Sequence, residues 1–208
     1  MNLSDKLIVL GEQGPDKFLV ANSMAGSQRF PAVGRTACNF GLVAIRGALR
    51  ARSIWLGTRG PAPKVLASGR FRFLPMHDRR LIWYSFATSL PCERLTVLSL
   101  EALSRDGEWT FRWKELASGE VSTGSEVILA VPFRGVSQHY ARLLDKFLTA
   151  FPSLVNLPVR GRIICLPDMT LDEAKDVAKQ AEKTLCRWLP EVECSPLLTP
   201  QTRDDPRA

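Results

Sequence analysis

The chain has 208 residues, of which 45% are hydrophobic, and its mean hydropathy is close to zero. This composition supports a buried core and excludes a wholly disordered protein. No run of about 18 apolar residues occurs, so we expect no membrane-spanning helix, and the first residues do not resemble a signal peptide. The five cysteines form no CxxC pair or His/Cys cluster, which predicts a reducing, cytosolic environment without disulfides, metal or cofactor.

The formal net charge of +7 is concentrated in one segment of the chain. Residues 35–80 hold ten basic side chains and only one acidic one, Asp78, which gives +9. Such a segment predicts an anionic partner, either phospholipid headgroups or nucleic acid, although a solvated basic face is the plain alternative. The candidate membrane-binding residues are Arg46, Arg50, Arg52, Arg59, Lys64, Arg70, Arg72, Arg79 and Arg80.

The first fifty residues predict a strand, a loop and a helix. Leu7–Leu10 is a short apolar run closed by the Gly14-Pro15 turn, which favours a buried strand. A second apolar run begins at Phe18, and the Gly, Ser and Pro content of residues 25–34 indicates a loop. Between residues 39 and 52, apolar residues and arginines recur at helical spacing, so a helix is predicted there.

The middle of the chain, from residue 53 to residue 133, reads as strands separated by turns. Asp106-Gly107 lies between two alternating runs and predicts a β-hairpin. Arginine and phenylalanine alternate strictly along Gly69–Phe73, which places a basic and an apolar face on one strand. The predicted strands are 53–56, 65–74, 81–90, 95–102, 108–116 and 127–133.

The last third is more helical. A stripe of apolar residues over 136–151 predicts an amphipathic helix with Ser137 as its N-cap. A strand is predicted at Ile163–Leu166, followed by a capping box at Thr170 and Glu173 and a helix that Pro190 ends. We therefore expect a β-rich domain at residues 1–134, a helical or mixed extension at 135–194 packed on it, and a flexible tail at 195–208.

Catalytic motifs are not recognisable in the sequence. The two histidines, His77 and His139, have no GxSxG nucleophile elbow to accompany them. Gly11–Gly14 does not read as a phosphate-binding loop, because Asp16-Lys17 fails to complete the Gly-Lys-Ser/Thr pattern. We therefore predict that the protein is not an enzyme.

Four short stretches resemble the matrix proteins of paramyxoviruses, a group of negative-strand RNA viruses. Pro31–Thr36 is similar to the family's Val-Gly-Arg-Ser/Thr segment, and Leu7–Glu12 to its first strand, which ends in Leu-Gly-Glu. Ile54–Gly60 falls where the family has a strand and a basic turn. Pro91–Thr110 follows the residue types of a family hairpin. The resemblance covers residues 7–133, and nothing matches beyond them.

This resemblance implies an α+β, β-rich fold: an antiparallel β-sandwich of the viral matrix type with a few flanking helices. It also implies a structural protein that binds an anionic phospholipid membrane, self-associates into dimers and a lattice, and links the membrane to the viral nucleocapsid. The expected location is the virion beneath the envelope, or the host cytoplasm and the inner face of the host membrane. Phe30, Pro31 and Val33 resemble a late-budding motif, whereas Tyr140 and Leu143 fit a helix core better than a second such motif.

Two alternatives remain open at this stage. A viral RNA-binding capsid or silencing-suppressor protein would use the same basic surface, because RNA and lipid both present phosphate. An enzyme without a recognisable motif is the third reading. The five tryptophans could stack on nucleic-acid bases, but strand tryptophans are more often buried in a core. They are Trp55, Trp83, Trp109, Trp113 and Trp188.

Overall fold

A computed structural model describes about two thirds of the chain, including nearly all of the region from residue 117 onward. The described residues are 6–25, 41–46, 51–55, 65–66, 80–87, 90–101, 114, 117–122 and 124–197. The predicted hairpin at Asp106-Gly107 and the candidate motif at Phe30, Pro31 and Val33 lie outside them.

Nine strands and three α-helices make up the described fold. The helices are α1 (Asp16–Ala25), α2 (Gln138–Ala150) and α3 (Leu171–Leu185), and a 3₁₀ turn covers Pro152–Asn156. Residues 117–121 form a further short helical segment. The strands are β1 (Lys6–Gly11), β2 (Gly41–Arg46), β3 (Ala51–Trp55), β4 (Val65–Leu66), β5 (Arg80–Ala87), β6 (Arg94–Ser99), β7 (Glu126–Val131), β8 (Val159–Ile164) and β9 (Glu193–Leu197).

All nine strands belong to one mixed sheet, with the spatial order β4-β3-β5-β2-β6-β1-β7-β8-β9. The five strands from β6 to β9 in this order run parallel to one another. On the other side of β6, β2 is antiparallel to it and parallel to β5, while β3 is antiparallel to both β5 and β4. The sheet is continuous across residue 134, since β7 pairs with β8.

The expected antiparallel β-sandwich is wrong. The structure is instead an α/β fold with a five-stranded parallel core and helices on both of its faces. Parallel neighbours need long crossover connections, and α2 and α3 provide these between β7 and β8 and between β8 and β9. All six residues of β7 are buried, as is typical of a parallel strand covered on both faces rather than of a sandwich strand with one wet side.

The predicted helix over residues 39–52 is also wrong, because these residues contribute β2 and the start of β3. β2 is hydrogen-bonded on both sides, to β5 and to β6. The helical spacing of a few apolar residues is weak evidence for a helix, and hydrogen bonding to two flanking strands outweighs it. Gly41 and Gly47 also lower the helix propensity of this segment.

The core consists of two layers, one on each face of the sheet. Along β1, Leu7 and Val9 pack against α1, whereas Ile8 and Leu10 belong to the layer under α2 and α3. Each of these side chains is at most 1% exposed, and burial of one such side chain contributes roughly 1.5–3 kcal/mol. Helix α1 therefore covers one face of the sheet, and α2 and α3 cover the other.

Several local predictions are confirmed in the described residues. β1 and β7 occur where apolar runs predicted them. Ser137 caps α2 by accepting a hydrogen bond from the Tyr140 amide, 3.0 Å away. The capping box of Thr170 and Glu173 is present at the start of α3 with both of its hydrogen bonds.

Candidate functional site

The candidate site is the loop between β1 and α1, at the carboxyl ends of the parallel strands. β1 ends at Gly11, and its parallel neighbours β6 and β7 end at the same edge of the sheet. In open α/β sheets this edge is where ligands bind. Gly11 is required by close packing, because a Cβ there would lie 3.0 Å from the Ala130 Cβ and 3.1 Å from the Lys17 Cβ.

Lys17, in the first turn of α1, is the principal side chain of this loop. It is 0% exposed, and its ammonium donates hydrogen bonds to the carbonyl oxygens of Glu12 (3.1 Å) and Gly14 (3.0 Å). The ammonium also lies 4.8 Å from the centroid of the Phe18 ring. Burial of an ammonium is tolerated only where such acceptors surround it. The Lys17 ammonium therefore holds the loop in place by binding two of the loop's own carbonyl oxygens.

A carboxylate from the neighbouring strand caps the loop from outside. Glu101, two residues after β6, accepts a hydrogen bond from the Gln13 amide at 2.6 Å and another from the Ser99 hydroxyl at 2.6 Å. Hydrogen bonds to an ionised carboxylate are about twice as strong as those between neutral groups. A backbone donor at the tip of the loop is thus engaged by the protein's own anion.

Other backbone positions of the loop are also withdrawn as donors. Pro15 has no N–H group. The amides of Phe18 and Leu19 both donate to the Pro15 carbonyl, at 2.8 and 3.0 Å. The start of a helix usually offers unpaired N–H groups to an anion. Here, two of the positions that could supply such groups do not: Pro15 lacks the hydrogen, and the Phe18 amide is bonded to the Pro15 carbonyl.

The loop also carries negative charge of its own. Burial raises the pKa of Glu12 above its ordinary value, with a further increase from the nearby carboxylates of Glu101 and Asp16 and an opposing effect from His139. Burial likewise raises the pKa of Asp16, opposed by the adjacent Lys17. Three carboxylates around one buried ammonium make the mouth of the loop unfavourable for an anionic ligand.

No protein-family model and no curated protein matches the chain. Among solved structures, it is similar to a protein of an oligomerised bacterial dynamin pair, described as sensing and tethering membranes over a long range. The TM-score is 0.51 at 11% identity, over 97% of this chain and 32% of that one. The chain is also similar to Aquifex aeolicus Era bound to GDP and AlF₄⁻ (TM-score 0.46, 12% identity, 93% and 50% covered). A third similar structure is Era in complex with MgGDPNP and part of 16S ribosomal RNA (TM-score 0.46, 10% identity, 93% and 50% covered).

The chain has an α/β fold similar to that of the dynamin-pair protein. It spans about a third of the length of the dynamin-pair protein and half that of Era. Similarity at this identity establishes the fold alone, so the prediction that the protein is not an enzyme stays a prediction.

A loop between the first strand and first helix of an α/β fold can bind phosphate when it has the sequence pattern GxxxxGK[ST]. In that pattern the backbone amides surround the phosphates, the lysine contacts them, and the Ser or Thr hydroxyl binds Mg²⁺. Gly11 and Lys17 match the first glycine and the lysine in spacing. Asp16 stands in place of the second glycine, and Phe18 in place of the hydroxyl residue. The residues therefore do not fit a magnesium nucleotide, because Phe18 has no oxygen to offer the ion and the Gln13 amide is already bonded to Glu101.

Sequence reasoning missed Lys17 as a structural centre of the site. The signal was available in the six-residue spacing from Gly11 to Lys17 directly after a buried strand. Because Asp16 and Phe18 do not complete the GxxxxGK[ST] motif, the matching positions of Gly11 and Lys17 were given no weight. The role of Glu101 had no local signal, since it is 88 positions from the Gln13 amide that it caps.

Three of the predicted membrane-binding residues, Arg46, Arg52 and Arg80, lie in the other half of the sheet. The described strands of the basic segment, β2 to β5, lie side by side at one end of the sheet order. Arg46 is exposed at the end of β2, Arg52 lies in β3 and Arg80 begins β5. Arg46 pairs with Ala87, seven residues along β5 from Arg80, so their backbones are separated by roughly 23 Å. The remaining candidates lie outside the described residues: Arg50, Arg59, Lys64, Arg70, Arg72 and Arg79.

The described residues contain neither a candidate metal site nor a membrane-spanning helix. No group of three or more His, Cys, Asp or Glu side chains in this part of the chain could hold a metal ion. Within the same residues, none of the helices has the length and apolar character needed to cross a bilayer.

Proposed function

We propose that this protein is a non-hydrolysing binding domain built on a GTPase-like fold. The observation that carries the proposal is the self-occupied β1–α1 loop, where Lys17 binds loop carbonyls and Glu101 caps the Gln13 amide. A phosphate group would have to displace Glu101 and take Lys17 from its two carbonyls. The phosphate would then be repelled by the carboxylates of Glu12 and Asp16. Its magnesium ion would find no hydroxyl ligand, because Phe18 stands at that position.

The energies support a closed loop. A hydrogen bond involving a charged group contributes about 1.5–3 kcal/mol net, and a phosphate would need to replace three of them, two from Lys17 and one to Glu101. These contacts are intramolecular, so they form without the loss of translational freedom that binding a ligand entails. A nucleotide that merely exchanged one set of contacts for an equivalent set would therefore bind weakly.

The test is calorimetric titration of the full chain with GTP and ATP, each with Mg²⁺, together with a phosphate-release assay. We expect no saturable binding and no turnover above the protein-free rate. The variant Asp16→Gly with Glu101→Gln removes one carboxylate and neutralises the cap while leaving buried Phe18 in place. We expect it to gain measurable pyrophosphate binding, whereas Asp172→Gly, at an exposed acidic position in α3, should not.

Tight binding or turnover of a magnesium nucleotide by the unmodified chain would overturn the proposal. A double variant that folds, as judged by an unchanged circular dichroism spectrum, yet gains no pyrophosphate binding would show that Glu101 and Asp16 do not close the site.

A second binding function, attachment to an anionic phospholipid surface, is favoured by the charge distribution. Three basic residues of the +9 segment lie in neighbouring strands at one end of the sheet, and one of them, Arg46, is exposed. Each well-placed basic residue near an anionic membrane contributes about 1 kcal/mol, so several together would give reversible attachment. The resemblance to matrix proteins implied a β-sandwich, which the structure contradicts. The viral partners that it implied, the nucleocapsid and further copies of the chain, stay predictions without support from the fold.

Co-sedimentation with phosphatidylserine vesicles tests this second function. We expect binding that falls as salt increases and that is absent from neutral vesicles. Arg46→Glu with Arg52→Glu should weaken it, whereas Lys179→Glu on α3 is the matched control and should not. Equal binding to neutral vesicles at high salt would contradict the proposal. Loss of binding to single-stranded RNA but not to vesicles in the double variant would favour the RNA-binding alternative.

A further inference from the structure

β9 ends the described sheet, so one of its edges has no neighbouring strand among the described residues. Such an edge normally presents a row of N–H and C=O groups, which is a template for pairing with another chain. In a strand, the N–H groups of alternate residues point to the same side. The Cys194 amide bonds to a side chain of α3 instead of β8, so Val192, Cys194 and Pro196 form the outward-facing set.

None of the three outward positions offers a free N–H donor. The Val192 amide donates to the Leu189 carbonyl in the turn before β9, at 3.1 Å. The Cys194 amide donates to the Glu182 carboxylate at 2.7 Å. Pro196 has no N–H, and proline in a sheet is confined to positions of this kind. A strand arriving at this edge would meet acceptors but no donors between residues 192 and 196.

We propose that Glu182 and Pro196 close the β9 edge against strand addition. A second copy of this chain cannot extend the sheet here without losing about half of the usual inter-strand hydrogen bonds. Any self-association of the protein therefore uses another surface.

Glu182 is the part of this device that can be removed without altering the strand. Its carboxylate comes from α3, whose buried residues Ala178, Ala181 and Leu185 fix the helix against the sheet. The same carboxylate acts on the neighbouring thiol: burial first, and then Glu182, raises the pKa of Cys194 to about 12. The thiol is thereby kept protonated beside Gly161, where a Cβ would collide with its sulfur.

The experiment measures both the cap and its consequence in the full chain. Hydrogen–deuterium exchange should show the Cys194 amide exchanging about ten- to a hundred-fold faster in Glu182→Ala than in the unmodified protein. Glu182→Gln retains a side-chain carbonyl acceptor and should restore slow exchange. Sedimentation velocity over a concentration series should show new self-association in the double variant Glu182→Ala with Pro196→Val. Glu191→Ala, an exposed acidic position before β9, is the matched control and should change neither measurement.

Two results would overturn the inference. Unchanged exchange of the Cys194 amide in Glu182→Ala would mean that the carboxylate does not cap the edge. The second result is faster exchange of the Cys194 amide in a double variant that still sediments like the unmodified protein. It would mean that the missing N–H donors at residues 194 and 196 are not what prevents strand addition. The exchange measurement on the single variant keeps the inference testable if the double variant fails to fold.

Discussion

Replacement of Lys17 by methionine gives the most direct measure of whether this lysine serves the fold or a ligand. Methionine keeps most of the buried apolar stem and removes the ammonium, which donates to the Glu12 and Gly14 carbonyls. Two hydrogen bonds from a charged group stabilise by about 1.5–3 kcal/mol each, and part of this gain is offset because the buried ammonium no longer has to be desolvated. We expect a net loss of roughly 2–4 kcal/mol in the free energy of unfolding.

The assay is urea denaturation in the absence of any ligand, with the free energy obtained from the midpoint and the slope of the transition. Lys179→Met, at an exposed position of α3, is the matched control and should change stability by less than about 0.5 kcal/mol. A lysine held ready for a ligand behaves differently, because its removal relieves an uncompensated buried charge and leaves stability unchanged or increased. An unfolding midpoint of Lys17→Met equal to or above that of the unmodified protein would therefore refute the closed-loop reasoning.

Three smaller perturbations test other parts of the fold. Thr170→Ala should cost about 1 kcal/mol in urea denaturation, because it removes the N-cap of α3. Tyr140→Phe should cost about 1 kcal/mol in the same assay, since the buried hydroxyl donates to the Ala130 carbonyl at 3.3 Å. Burial and neighbouring carboxylates raise the pKa of Glu12 in the folded state above its ordinary value of 4.5. The protonated carboxyl therefore stabilises the folded protein in acid, and this stabilisation is lost as the pH rises through the pKa of the folded state. Glu12→Gln should consequently be more stable than the unmodified protein at neutral pH and converge with it in acid, as denaturation at several pH values would show.

Local signals predicted the elements whose formation depends on neighbours in sequence. The apolar run of β1 and the caps of α2 and α3 are satisfied within a few residues, and they occur where the sequence indicated. Strand β2 is different, because its structure is decided by hydrogen bonds to β5 and β6, whose paired residues lie 41 to 57 positions further along the chain. A pattern of a few apolar residues contains no information about such partners.

For the same reason, local sequence patterns could not predict whether neighbouring strands run parallel or antiparallel. Apolar runs at β1, β6 and β7 are compatible with either a sandwich or a parallel sheet. What distinguishes them is burial on both faces together with helical crossovers, and α1 was not predicted: its sequence from Asp16 to Ala25 showed only an apolar run. The similarity to matrix proteins then favoured the sandwich, and the strand pairing shows that the resemblance did not reflect the fold.

The closed loop has a consequence for the basic half of the sheet. Glu101 ties the β1–α1 loop to the end of β6, and β6 is the strand that pairs directly with β2, the first strand of the basic segment. A ligand that occupied the loop would have to move Glu101 and could thereby influence β2. With Glu101 and Lys17 already satisfied, nothing in the described loop makes the basic strands responsive to nucleotide. We therefore expect vesicle binding to be the same with and without magnesium GTP, and a nucleotide-dependent change in co-sedimentation would show that the loop opens.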